Sequence, residues 1–219
     1  GGLTVNTALV PPDTRAVIKA NADSKGNFET AIGYSISNIL QFNLYRSKVQ
    51  GIPSNTTQAR TYLNNDGVNW RGSGKAILTS QLRGAPIWSA LRISLGRNMD
   101  SINNNAQGYL FAETPLTWEA NNIVAFNINP KIAWTGVGSL WGLGISSNIQ
   151  LAPRWALIPE TNINLTSLEE TNCTLGLRWN ANEKIAIEAY GSTASSLVDI
   201  GQLVNADRIR WGGRIILTL

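Results

Sequence analysis

The 219-residue sequence contains no histidine and a single cysteine, Cys173. Ser–His nucleophiles, His–Asp dyads, HExxH zinc sites and imidazole metal ligands are therefore absent from its repertoire. One thiol forms neither an internal disulfide nor a CxxC cluster, so Cys173 reads as a small apolar side chain in a strand. What remains is the chemistry of carboxylates and cations. Paired carboxylates remain open: Glu169 and Glu170 are adjacent but read as an exposed loop, and Glu113 and Glu119 share a face. The stretch "GVGSLWGLG" at 136–144 is no phosphate cradle, because no helix follows for its N–H groups to open onto; its small residues instead leave wall or lumen open. The richer set is Lys75, Arg83, Arg92, Lys131, Arg154, Arg178, Arg210 and Arg214, interleaved with Glu113, Glu160 and Glu188. Guanidinium forks bind carboxylate or phosphate bidentately, which lysine does not. These groups can pair with one another or receive an anion. No catalytic residue, metal site or cofactor is predicted.

The elements that carry these residues alternate with a period of two, the signature of a half-buried strand. In "TLGLRWNANEKIAIEAYGST", Leu175, Leu177 and Trp179 face one way and Gly176 and Arg178 the other; after the hinge at 180–183, Ile185 and Ile187 oppose Ala186 and Glu188. Hinges at 82–86, 118–122, 150–154 and 179–183 are separated by longer, more varied connections, including 55–73, 98–108, 167–172 and 195–207. This is an up-and-down meander. Candidate strands fall near 14–22, 27–37, 38–49, 73–83, 86–97, 107–119, 123–135, 139–151, 154–166, 171–180, 184–195 and 208–219, which makes twelve. The run 3–10, ended by Pro11-Pro12, is a lead or a partial strand. If it belongs to the wall, the count becomes odd, and the fallback is fourteen strands with an N-terminal one missing, because single-chain bacterial barrels use even numbers. The organisation is thus 1–13 as lead or partial strand and 14–219 as one β domain. Pro115, Pro130 and Pro159 lie inside candidate strands and call for bulges.

The faces then sort themselves. From Ala76 to Leu165 one face carries no charge, while the other carries the cations and acids above, together with Asn127, Asn129, Asn148 and Gln150; Lys19 and Glu29 join it nearer the start. Trp118, Trp155 and Trp179 sit on the apolar face beside the short hinges, and Trp134 and Trp141 flank a longer loop. Indoles at both ends of an apolar band are the habit of interfacial belts, whereas a soluble sandwich would more often place large rings mid-strand and carry more surface Lys and Glu. Charged residues are only 15% of the chain, against roughly a quarter in soluble domains. No run of about 18 apolar residues exists, which excludes a transmembrane helix but not transmembrane strands. The net charge of +4 is spread singly, without a basic tract, and argues against nucleic acid. The expectation is an all-β, antiparallel, up-and-down transmembrane barrel of about twelve strands.

The closing segment "RIRWGGRIILTL" puts Ile209, Trp211, Ile215, Leu217 and Leu219 opposite Arg208, Arg210, Arg214 and Thr218. It resembles the last strand of bacterial outer-membrane β-barrel proteins, with Trp211 as another interfacial indole. Within that class "STASSLVDIGQLVNADRIRWGGR" looks like cyanobacterial members. The resemblance implies an integral outer-membrane location, lipid as the surrounding partner, and recognition of Ile215, Leu217 and Leu219 by the barrel-assembly machinery. Leu219 departs from the family habit of a terminal aromatic, usually Phe. Barrel enzymes of that membrane (phospholipases, omptin proteases, palmitoyl transferases) lean on a histidine that this chain lacks, so no enzyme is expected. No leader is visible at Gly1, so the sequence reads as a processed or shortened form. Two functions stay open. One is a passive pore for small polar or anionic solutes, lined by Lys75, Arg83, Arg92, Lys131, Arg154, Arg178, Arg210 and Arg214 and tempered by Glu113, Glu160 and Glu188, with Arg178, Arg210, Arg214 and Glu188 as its central cluster. The other is a structural or accessory barrel, part of an oligomer or envelope complex, filled by its own paired side chains. A soluble β-sandwich binding module is the third class.

Overall fold

Period-two alternation builds a wall whose two faces meet different surroundings, and the wall closes on itself. The computed structural model describes residues 2–11, 15–48, 68–98, 108–135, 138–166 and 170–219. Its strands are β1 (Ala16–Asp23), β2 (Phe28–Ile36), β3 (Leu40–Lys48), β4 (Val68–Thr79), β5 (Trp88–Asn98), β6 (Gly108–Glu113), β7 (Leu116–Glu119), β8 (Val124–Thr135), β9 (Gly138–Ala152), β10 (Trp155–Asn164), β11 (Asn172–Asn180), β12 (Ile185–Ala194) and β13 (Asn205–Thr218). All pair antiparallel; β1 pairs with β13, and β4 with β5, so the sheet has no free edge. Segments β6 and β7 occupy one position between β5 and β8, which leaves a closed barrel of twelve staves. Closure removes the unpaired N–H and C=O rows that an open sheet would expose. It also overturns the sandwich alternative, which needs two sheets, and the fourteen-strand fallback, which needs a gap. Among the described residues there is no α-helix; the two helical turns are 3₁₀, at Gln81–Arg83 and Asp199–Leu203.

Three expectations about the wall are corrected. The fourth strand spans Val68–Thr79 rather than 73–83; its first residues had read as loop because Gly72, Ser73 and Gly74 blur the apolar alternation, and Gln81–Arg83 forms the turn. The prolines cause no register shift. Pro115 interrupts its strand, separating β6 from β7, yet the pairings with β8 on either side keep one register across Pro130, and the Ala90 N–H still reaches the Pro115 carbonyl at 3.0 Å. Pro159 stays paired with Leu175 while the ladder toward β9 lapses beside it. Register shifts fall instead at 77/79, 155/156 and 192/194. Finally, Trp134 and Trp141 flank a tight connection, since β8 ends at Thr135 and β9 begins at Gly138.

The outer face is apolar and large side chains stand out from it: Ile32, Phe42, Leu44, Leu95, Ile128, Ile145, Leu175 and Ile215 are all exposed. Exposed tryptophans cluster at the two ends of the staves. Trp155 and Trp179 are cross-strand partners stacked at 6.2 Å, and Trp118 stacks on Phe126 at 5.9 Å, at the short-turn end. Trp134 and Trp141 meet edge-on at 6.4 Å at the other end, where Trp211 and Trp70 also lie, Trp70 beneath the Arg46 guanidinium. Such cross-strand ring pairs add roughly 0.5–1.5 kcal/mol each beyond area burial. Trp88 breaks the pattern: it points inward, donating to Glu119 at 2.8 Å and packing on Ala8 and Ala90.

Candidate functional site: the plugged lumen

A barrel of about eight strands is just filled by its own side chains, and one of sixteen leaves an aqueous bore. Twelve falls between, and here the surplus space is taken by two inserts. Residues 2–11 form no strand and thread the lumen, with Leu3, Thr4, Val5, Thr7 and Ala8 all buried. From the opposite end the β12–β13 connection folds inward as the turn Asp199–Leu203, also buried throughout.

The wall grips residues 2–11 largely by their backbone. The Glu160 carboxylate accepts the N–H groups of Leu3 at 2.7 Å, Thr4 at 2.5 Å and Val5 at 3.3 Å, and the Thr4 hydroxyl at 2.7 Å. Successive N–H groups aimed at one point make a nest for an anion, and the barrel supplies that anion from β10. Cations hold the carbonyls: Arg214 donates to Gly2 O at 3.0 Å, Lys131 to Thr4 O at 2.7 Å, and Lys75 to Leu9 O at 2.5 Å and Thr7 O at 3.3 Å. Asn6 donates to Glu113 at 2.6 Å, and the Ala8 N–H to the Thr117 hydroxyl at 2.9 Å. Two wall glycines make room. A Cβ on Gly176 would fall 2.2 Å from Leu3 Cδ1, and one on Gly144 would lie 2.9 Å from Lys131 Cε and 3.0 Å from Val5 Cγ2. The glycines of 136–144 thus receive an insert rather than open the bore; a Cβ on Gly142 would meet Leu203 at 2.3 Å.

The second insert combines a charged anchor with an apolar seat. Asp199, at a positive φ of 51°, accepts from Arg92 at 2.7 Å, Ser94 at 2.6 Å and Tyr109 at 3.0 Å. Ile200, Leu203 and Val204 pack on Phe111, Ala133 and Leu140. The inserts meet where Leu3 packs with Leu197 and again at the Lys131 ammonium, which also donates to Gln202 and to Asn162, each at 2.7 Å.

The charges predicted from sequence separate into three groups. Lys75, Arg92, Glu113, Lys131, Glu160, Arg178, Glu188, Arg210 and Arg214 point into the lumen. Arg178 and Arg214 share the Glu188 carboxylate across the β11–β12–β13 register, and Arg92 links Glu113 at 2.9 Å to Asp199. Arg210 does not join that cluster; it pairs with Asp23 and the Ala194 carbonyl, four residues along β13 toward the long-loop end. Arg83 and Arg154 are corrections. Both lie exposed in short-turn connections, Arg83 at the end of its 3₁₀ turn and Arg154 between β9 and β10, so neither lines the lumen. Strand ends are where a parity count fails, because the alternation stops with the ladder. Glu119 likewise sits at the exposed rim, and Glu169 lies outside the described residues. Three participants were missed. Arg71, paired to Glu29 at 2.6 Å and lying over the Tyr45 ring, falls within the connection 55–73 that the sequence pattern suggests. Asp199 and residues 2–11 carried a signal of composition alone: "SSLVDIGQLV" and "LTVNTALV" are too apolar for solvated connections. A wider groove of about 700 Å³ lies along the wall, lined by the outward-facing Phe126, Ile145, Leu175 and Trp211 together with Glu160 and Thr174.

The closed, edge-free, antiparallel sheet with an apolar exterior and a polar interior is the fold of the bacterial outer-membrane β-barrels. Among solved structures the chain resembles the KdgM porin in complex with disordered oligogalacturonate (TM-score 0.64, 4% identity, 93% of this chain and 97% of that one). It also resembles the NanC porin (0.61, 10%, 93% and 100%) and outer-membrane phospholipase A from Escherichia coli, as an N156A active-site mutant (0.58, 12%, 95% and 91%). No protein-family model matches the sequence, and no curated protein does.

Proposed function

We propose that the chain is an integral bacterial outer-membrane channel, held closed in this structure by its lumen inserts, that passes small polar or anionic solutes without chemistry when residues 2–11 withdraw. The observation that carries this is the grip on those residues. Three wall cations, Lys75, Lys131 and Arg214, use carbonyl oxygens of one short segment as acceptors. Once it leaves, they face the bore unspent and make it basic, the arrangement that favours anions. Two of the similar structures being porins is consistent with this use of the fold. The exterior suits lipid, the indole belts suit its two interfaces, and Ile215 and Leu217 of β13 with Leu219 just past its end suit recognition during assembly. Most of the buried charged groups are engaged in ion pairs or by the inserts, and the sequence has no histidine, which fits passage without chemistry.

A second reading, a non-conducting accessory barrel, draws on the completeness of the lumen's internal pairing, from Arg71–Glu29 to Arg178–Glu188–Arg214. Single-channel current across a planar bilayer separates the two. Wild type is expected to open rarely, and Glu160→Gln, which weakens the nest at Leu3–Val5 by about 2–4 kcal/mol, to raise the open fraction by at least tenfold with anion preference. A folded Glu160→Gln protein that stays silent would transfer the case to the accessory barrel, and cation preference would sink the basic bore.

A further inference from the structure

A partly open space of about 160 Å³ lies between residues 2–11 and the wall formed by β13 and β1 to β5. Its charge is not balanced. Among the described residues, Arg71, Arg92, Arg178, Arg210 and Arg214 each have a carboxylate at ion-pair distance. Lys131 has three oxygen acceptors. Lys75 reaches only carbonyl oxygens, and Lys19 on β1 has no hydrogen bond or ion pair among the described residues; both line this cavity. Glu29 lines it as well but is engaged by Arg71. Lys19, half-buried, and Lys75, buried, share one small space whose carboxylate, Glu29, is already held by Arg71, and an anion in the cavity would supply the two ammonium groups with a close counter-ion.

The remaining lining says which anion. Asn6, Gln41, Asn43, Tyr45 and Thr218 add polar groups beside the cations, while Val17, Ile216 and Leu9 form an apolar patch. A fully hydrated tetrahedral oxyanion would strand those methyl groups against its oxygens. The volume corresponds to about five waters at ~30 Å³ each, room for a headgroup and a short chain. We propose that this cavity binds a short-chain monocarboxylate, its carboxylate met by Lys19 and Lys75 and its tail laid against Val17 and Ile216. The proposal refines the channel reading by giving its solutes a class, and it rests on that reading only for the site's role in passage.

Binding is therefore measured without conduction, by isothermal titration of the detergent-solubilised full chain with propionate and, separately, with inorganic phosphate. Wild type should take up propionate at one site and bind phosphate more weakly. Lys19→Gln, which removes no hydrogen bond or ion pair to the described residues, should weaken propionate binding by at least about tenfold, the loss of ~1.4 kcal/mol, and Lys19→Arg should stay within about threefold of wild type. No propionate uptake by wild type, or equal uptake by Lys19→Gln, overturns the site. Phosphate binding as tight as propionate overturns the ligand class and reduces the cavity to a general anion trap. Propionate uptake in a barrel that never conducts would leave the site standing and remove the channel, and conduction without uptake would do the reverse.

Discussion

Residues 2–11 and residues 195–204 occupy the same lumen and touch the same lysine, yet each is held there by a different kind of contact. The first segment is held through its backbone, by a carboxylate on three N–H groups and by cations on four carbonyls. Water can take over every one of those contacts when the segment leaves. The second is tied at both ends to β12 and β13, and it buries Ile200, Leu203 and Val204 almost completely against the wall. Apolar contacts of that kind contribute about 1.5–3 kcal/mol per side chain and have no replacement in water. The lumen therefore has one insert suited to exchange and one suited to stay. Leu3 and Val5 add apolar contact to the first, but Thr4, Asn6 and Thr7 alternate with them and keep its character polar.

The largest test of that difference strikes the fixed insert. Arg92→Met removes the guanidinium that Glu113 and Asp199 share and leaves two buried carboxylates facing each other. Breaking a buried pair by deleting one partner costs about 3–5 kcal/mol. The urea midpoint of unfolding in detergent should fall accordingly, and hydrogen exchange should rise first across 195–204. A fall of under about 1 kcal/mol would mean that the apolar seat holds the loop without its charged anchor.

Leu203→Ala comes next, at about 2–4 kcal/mol, since it empties a fully buried position next to Gly142 and Phe111. It should raise exchange in 195–204 while leaving Leu3–Val5 protected. Equal loosening of both segments would show that they act as one plug, coupled through Lys131, and would erase the contrast.

How far the sequence foretold this molecule follows the same division. The wall was legible because lipid-facing and lumen-facing residues alternate over every stave, so Leu175, Leu177 and Trp179 declare one face and Arg178 the other. Ion pairs between neighbouring staves were within reach too: Arg178, Glu188 and Arg214 sit directly across from one another. Parity, however, reports which way a side chain points and not what fills the space it points into. Nothing in the alternation says that a dozen staves leave room for two inserts, or that Glu160 will bind a backbone. It also stops at the ladder's ends, which is why Arg83 and Arg154 were placed in the lumen and lie outside it. Arg210 was assigned to the right face but the wrong partner, because Asp23 reaches it from the end of β1.

The smallest expected effect is the sharpest probe of the exchangeable insert. Gly176 lies on the inward face of β11, and Leu3 fills the space its missing side chain leaves. Gly176→Ala would put a methyl 2.2 Å from Leu3 Cδ1, closer than any contact tolerates, so Leu3 must rotate or the segment must lift. Because the clash is with the end of a flexible side chain, the cost should be only about 1 kcal/mol, at the low end for overpacking. Ala is otherwise at least as compatible with a strand as Gly, so the wall should unfold at an unchanged or slightly higher urea midpoint. Hydrogen exchange at Leu3, Thr4 and Val5 should then quicken roughly fivefold, the factor that ~1 kcal/mol represents, with no change at Ile200 or Leu203. If exchange at Leu3–Val5 stays put, the Glu160 nest alone determines whether the segment is seated, and the apolar socket contributes nothing to holding it. If exchange rises in both inserts instead, the segment near residue 3 is braced by Leu197, which it touches beside Tyr190, and the two inserts must then leave together.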